Sequence, residues 1–179
     1  GSLPLVQRDV LEALRDLDLP IATTNYDGLL EVVVDRPTVT WKEPERALRV
    51  LRSEEPGILH LHGFWREPET VVLGPRSYQR GGDSVPAQTL QQSLAVFGGL
   101  VLVGYGGGLE DPNFGSLLAW LRQHWAGAEH RHFRLCLEGD LAALRRAHRG
   151  DRVFPIAYGV DHPEFGPWLR GLAPGMPAT

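Results

Sequence analysis

Three short peptides in this sequence combine residue types that can handle a polar ligand. They are Thr23-Thr24-Asn25-Tyr26-Asp27, His60-Leu61-His62-Gly63, and the run from Gly104 through Tyr105 and Gly106 to Asp111. An amide, a phenol and a carboxylate in three successive residues make an unusually polar end to a strand. A histidine followed by glycine can exchange a proton near neutral pH, as a general acid or base must. A glycine turn that feeds a helix can hold phosphate, and Asp111-Pro112 offers that helix a cap and a first residue.

Each peptide also has a plainer reading. Asn25 and Asp27 can simply build a turn, because such side chains bond their own backbone. His62 can be a satisfied histidine at a strand end. His60 and His62 share one strand face, so they can begin a metal site, yet no third ligand stands at a convincing spacing. The glycine run departs from the dinucleotide fingerprint: after Gly104-x-Gly106 the third glycine falls at Gly108, where the spacing requires it at Leu109. Cys136 sits mid-strand between apolar neighbours and reads as a core thiol. The five tryptophans are scattered and read as packing anchors. No nucleophile elbow or P-loop is present.

The elements that must position these peptides follow from periodicity. Leu5 to Leu17 has helical spacing, and Pro20 to Thr24 reads as a short buried strand. Leu29 to Val34 reads as a helix, although its apolar side fits a strand equally well; Val39 to Trp41 is a strand, Glu45 to Leu51 a helix, and Gly57 to Gly63 a strand. Thr70 to Leu73 reads as another strand and Pro86 to Phe97 as an amphipathic helix. The apolar run Leu100-Val101-Leu102-Val103 has the pattern of a strand buried on both faces. Phe133 to Leu137 and Val153 to Ala157 are strands; Asp140 to His148 and His162 to Leu172 are helices. This alternation predicts an α/β, Rossmann-like fold, an open and mostly parallel sheet with helices on both faces. In such sheets ligands bind beyond the carboxyl ends of the strands. All three peptides fall on that edge.

Composition narrows the function classes. The chain has 179 residues, 42% hydrophobic and 22% charged, with a net charge of −4, an ordinary globular balance for one domain. Acids and bases are interspersed, so no footprint for nucleic acid or an acidic membrane is present. A single cysteine excludes an internal disulfide and a four-cysteine zinc site within the chain, and points to a reducing, cytoplasmic setting. No apolar run reaches membrane-helix length, and no signal peptide opens the sequence.

Taken in order, the three peptides resemble the sirtuin-like family, in particular its zinc-free prokaryotic NAD-hydrolase branch. Thr23-Thr24-Asn25-Tyr26-Asp27 with Leu29-Leu30-Glu31 is similar to the branch's hallmark peptide. Leu61-His62-Gly63 is similar to its catalytic-histidine peptide, and Val103-Gly104-Tyr105-Gly106 with Asp111-Pro112-Asn113 to its third motif. The resemblance implies that Asn25 orders the nicotinamide ribose or the attacking water. It implies that Asp27 anchors the carboxamide and that His62 is the general base. Thr23 and Tyr26 would flank the cofactor, and Gly104, Tyr105, Gly106 and Asp111 would contact the ADP-ribose. NAD is the implied ligand and no metal is implied. Two departures stand out. Gly106 occupies a place where the family usually has a hydroxyl residue. The family's opening strand and Gly-Ala-Gly loop are missing ahead of Leu3, so the resemblance implies a partial domain over residues 3–173, truncated at its N-terminus, with a flexible tail at 174–179.

The leading expectation is an NAD glycohydrolase domain that yields nicotinamide and ADP-ribose. Within the zinc-free branch, that activity implies a bacterial antiviral-defence effector that works as a homo-oligomer or with a fused or partner regulatory domain. Missing zinc cysteines weigh against a protein deacylase. Two alternatives belong to other classes. One is a non-catalytic sensor of NAD or ADP-ribose, which Gly106 and the missing Gly-Ala-Gly loop favour and the intact Asn25 and His62 oppose. The other is an assembly module whose sheet has lost its ligand.

Overall fold

The computed structural model describes residues 5–71, 99–104, 131–150 and 152–173. They form two compact units, the first drawn from residues 1–90 and 163–179 and the second from 91–162. Both are α/β, with parallel three-stranded sheets and helices packed around them, a Rossmann-like architecture.

In the first unit, helix α1 (Leu5–Asp16) packs on α2 (Leu29–Val34) and on α5 (Phe165–Arg170), with Ala13 wholly buried. The chain leaves α1 through Asp18, at a φ of 50°, and Pro20 prevents the helix from continuing. Arg36 ties this turn to the rest of the unit. Its guanidinium donates to the Leu19 carbonyl at 2.7 Å and to Asp18 at 2.6 Å. Strands β1 (Ile21–Thr23) and β2 (Thr38–Thr40) both pair in parallel with β3 (Ile58–His60), giving the order β1-β3-β2. Helix α3 (Pro44–Leu51), which starts with Pro at its first position, packs on β2 and β3. The core comprises Val34, Val39, Ala47, Val50, Ile58, Leu59, Phe165 and Leu169.

The pairing register matters for function. Thr23, His60 and Thr40 stand side by side as the last residues of their strands. All three strands stop at one level, so the peptides that follow β1 and β3 leave the sheet at the same edge. That is the edge expected for ligands in such sheets.

In the second unit, β4 (Val101–Leu102), β5 (His132–Leu137) and β6 (Val153–Gly159) pair in parallel in the order β4-β5-β6. Helix α4 (Glu138–Ala147) packs on β5 and β6. Cys136 is buried in β5, as expected of a core thiol. Its neighbour Arg134 is also buried, with Nη1 3.4 Å from His148 Nε2.

Two expected strands differ. Val101 is 52% exposed and only Leu102 is buried, so β4 is not covered on both faces; it stands at an edge among the described strands. Thr70 does not open a strand. It ends a 3-10 turn, Pro68–Thr70, in which Pro68 presets φ while Thr70 closes the turn onto the Glu67 carbonyl through both N–H (2.8 Å) and Oγ1 (2.7 Å). The last helix is also shorter than expected, a 3-10 turn at His162–Glu164 followed by α5. The helices expected at Pro86 to Phe97 and from Asp111 onward, and the tail at 174–179, lie outside the described residues. Among those described, no helix is long and apolar enough to cross a membrane.

Candidate functional site

The peptide after β1 is shaped by its own polar groups. Thr23 is buried, and its Oγ1 accepts the Asn25 N–H at 3.0 Å. The Asn25 carbonyl is held from the other side by His60 Nδ1 at 3.1 Å. Asp27 Oδ1 accepts the Leu29 N–H at 3.0 Å and so starts α2. The turn reading of Asp27 is therefore correct for one of its oxygens. Asn25 differs: its backbone is bonded at both ends, while its side chain is exposed and makes no hydrogen bond among the described residues.

The peptide after β3 is packed more tightly. The strand ends at His60, and His62 lies in the following turn. His62 is buried there. It is 4% exposed, with its ring 6.4 Å from that of Tyr26. Gly63 has a φ of 91°, and a Cβ there would stand 2.1 Å from the Thr70 carbonyl oxygen. Only glycine lets the two backbones approach this closely. Thr70 in turn accepts the Phe64 N–H on Oγ1 at 2.9 Å and the Trp41 indole N–H on its carbonyl at 2.8 Å.

These two peptides meet. The Trp65 N–H donates to the Tyr26 carbonyl at 3.0 Å, and between them opens a cleft of about 470 Å³ lined by Thr24, Asn25, Tyr26, Asp27 and Trp65. Asn25, Tyr26 and Asp27 are thus brought together as expected. Thr23 is adjacent but turned into the loop, and Thr24 presents the lining hydroxyl in its place. His62 adjoins the cleft through Tyr26 and is not part of its lining. Trp65 was read as a packing anchor; it is 55% exposed, with the Arg66 guanidinium 5.0 Å from its ring centroid. Among the expected ADP-ribose contacts, Gly104 lies just past β4, exposed, with a φ of 76°. Tyr105, Gly106 and Asp111 lie outside the described residues.

Sequence reasoning missed the pair beneath the cleft. His60 is fully buried, and its Nε2 is 2.6 Å from Glu31 Oε1. Thr38 Oγ1 donates to the same oxygen at 2.9 Å. Burial alone raises the Glu31 carboxyl, but hydrogen bonds from His60, its own backbone N–H and Thr38, with the charge on His60, outweigh it. The group is held below the usual carboxylate range. The available signal was the joint oddity of a histidine closing an apolar strand and a carboxylate on the apolar helix α2. Neither His60 nor His62 joins a metal set: among the described residues no group of three His, Cys, Asp or Glu is placed to hold a metal ion.

Chemically, the cleft offers a free amide, a carboxylate, a phenol, a hydroxyl and an indole face, with no cation among the described residues that line it. These groups suit an aromatic, hydroxyl-bearing or cationic ligand group. A model of the SIR2-like domain family matches residues 20–156, a span that takes in the Asn25 peptide, the His62 turn and the Gly104 turn. Domains of that family bind NAD and act on it. With the match covering well over half of its length, the chain belongs to the SIR2-like domain family.

Proposed function

We propose that this domain is an NAD glycohydrolase that releases nicotinamide and ADP-ribose. The observation that carries the reading is the cleft itself: Asn25, Tyr26, Asp27 and Trp65 surround one space beside His62 at the carboxyl edge of a parallel sheet. The nicotinamide of NAD is a pyridinium, so a cleft with a carboxylate and an indole face fits that end of the molecule. Asp27 holds the carboxamide, Trp65 covers the ring, and Asn25 orients the ribose and the attacking water. The bond between C1′ and the ring nitrogen breaks, and its electron pair leaves with neutral nicotinamide. Water oxygen bonds to C1′, and its proton passes to His62. General-base help of this kind is typically worth ~10²–10⁴-fold.

The family match crosses both compact units, which supports reading residues 3–173 as one domain. The diphosphate would lie at the Gly104, Tyr105, Gly106 and Asp111 peptide. Without zinc cysteines in the chain, the reading favours NAD consumption over protein deacylation, and a cytoplasmic antiviral effector that acts in an oligomer or under a partner domain. A second reading rests on one observation, the burial of His62: a base closed off from the cleft suits a sensor that binds NAD without cleaving it. Mixing the full protein with NAD and measuring heat and nicotinamide together separates them. Turnover that His62→Ala abolishes supports the hydrolase. Heat without nicotinamide supports the sensor, and neither signal removes both.

A further inference from the structure

We propose that Glu31 and His60 form a partly buried clamp that positions Asn25, holding its main chain so that its side chain stands in the cleft ready for the ribose and water. The inference rests on the hydrolase reading for what Asn25 does, and on geometry alone for how Asn25 is held.

The Asn25 carbonyl can only accept, so His60 Nδ1 must carry a hydrogen at that 3.1 Å contact. The Glu31 carboxylate can also only accept, so with Glu31 ionised His60 Nε2 must donate as well, across 2.6 Å. The ring then donates from both nitrogens and links helix α2 to the loop that follows β1. His60 lies in the central strand of its sheet, and Phe64 packs edge-on against its ring at 4.8 Å. Thr23 Oγ1 fixes the other face of the same residue by taking the Asn25 N–H. Asn25 is therefore pinned at both of its peptide groups and, among the described residues, unbonded at its side chain, the arrangement of a preorganised group.

Stability alone does not account for the pair. A buried ion pair is often matched or bettered by apolar residues of similar volume. Here Glu31 Oε2 is also buried without a hydrogen-bond partner among the described residues, which is itself unfavourable. Glu31 and His60 do not line the cleft and reach it only through the Asn25 main chain, so they are positioning residues and not catalytic ones.

The test uses the full protein with four variants: Glu31→Gln, Glu31→Leu, His60→Leu, and the double Glu31→Leu/His60→Leu. Glu31→Gln can donate to a neutral His60 that still holds Asn25, so kcat should stay within about threefold of wild type. In Glu31→Leu and in the double variant kcat should fall by roughly tenfold to a hundredfold, the scale of a misplaced group, with KM for NAD little changed. The double variant leaves no buried unpaired charge, so it covers the case where a single variant does not fold. Amide hydrogen exchange over residues 23–27 is read in parallel. It should quicken in the double variant, stay slow in Glu31→Gln, and leave β3 protected. Unchanged exchange with wild-type kcat in the double variant overturns the clamp, as does a Glu31→Gln enzyme as impaired as Glu31→Leu. A wild type that releases no nicotinamide, with the exchange pattern as expected, refutes the hydrolase reading and leaves the clamp standing.

Discussion

Replacing Gly63 by alanine adds one methyl group at the point where the His62 turn meets the Pro68–Thr70 turn. The Cβ would lie 2.1 Å from the Thr70 carbonyl oxygen, 2.3 Å from its carbon and 2.7 Å from the Val71 nitrogen, on a backbone with a φ of 91°. The left-handed conformation costs an L-residue about 1–2 kcal/mol. The contacts are with backbone, so no side chain can swing aside, and forcing such a site open typically costs about 1–3 kcal/mol more. Moving Thr70 also strains its bonds to Phe64 and Trp41. The total, roughly 2–5 kcal/mol, is a large share of the ~5–15 kcal/mol available to a domain. At about 2–4 °C per kcal/mol for a chain of this size, thermal unfolding should show Tm lower by roughly 4–20 °C. Gly104→Ala is the internal control. It has a φ of 76° but no described residue within 4 Å of the added Cβ, so the backbone contribution of about 1–2 kcal/mol applies. A Gly63→Ala protein that melts within 2 °C of wild type, or no lower than Gly104→Ala, would refute the close-approach reasoning and with it the description of a rigid His62 turn.

Asn25→Ala should collapse turnover while NAD still binds, whereas Asp27→Ala should raise KM as well; equal effects on turnover alone would count against this division of roles. Because Asp27 also accepts the Leu29 N–H, calorimetry should show its alanine variant about 1 kcal/mol less stable, a loss Asn25→Ala does not share. Trp65→Ala should weaken NAD binding by roughly tenfold, within the ~1–3 kcal/mol of an aromatic stack, with little change in Tm since the side chain is largely exposed; unchanged affinity by calorimetry would remove Trp65 from the site. Acid unfolding should depend on Glu31, whose folded-state value lies below its ordinary 4.5. Its contribution to stability is complete above about pH 4.5 and is lost as pH falls through the lower folded value. Denaturant titrations should therefore show wild type losing more stability than Glu31→Gln on going below that pH, and parallel curves would contradict the assignment.

The alternation of apolar strands and helical periods was legible before any coordinates, because both periods are local properties of the chain. A parallel alternation obliges every strand to end on the same edge of its sheet, so the meeting of the Asn25 and His62 peptides followed from pattern alone. Alternation does not choose residues within those peptides; the roles given to Asn25, Tyr26 and Asp27 came from the family resemblance. Tertiary structure decided the rest. His60 and His62 look equivalent along the chain, two residues apart on one presumed strand. The strand stops at His60, and from there the two histidines part: one faces Glu31 from 29 residues away, the other is buried in a turn beside Tyr26. Whether a tryptophan is a packing anchor or an exposed wall depends on which segment covers it, and Thr70 became a turn because Pro68 and its own hydroxyl outweighed β propensity. Partners of buried polar groups are chosen by register and packing between distant segments, and no local period encodes that choice.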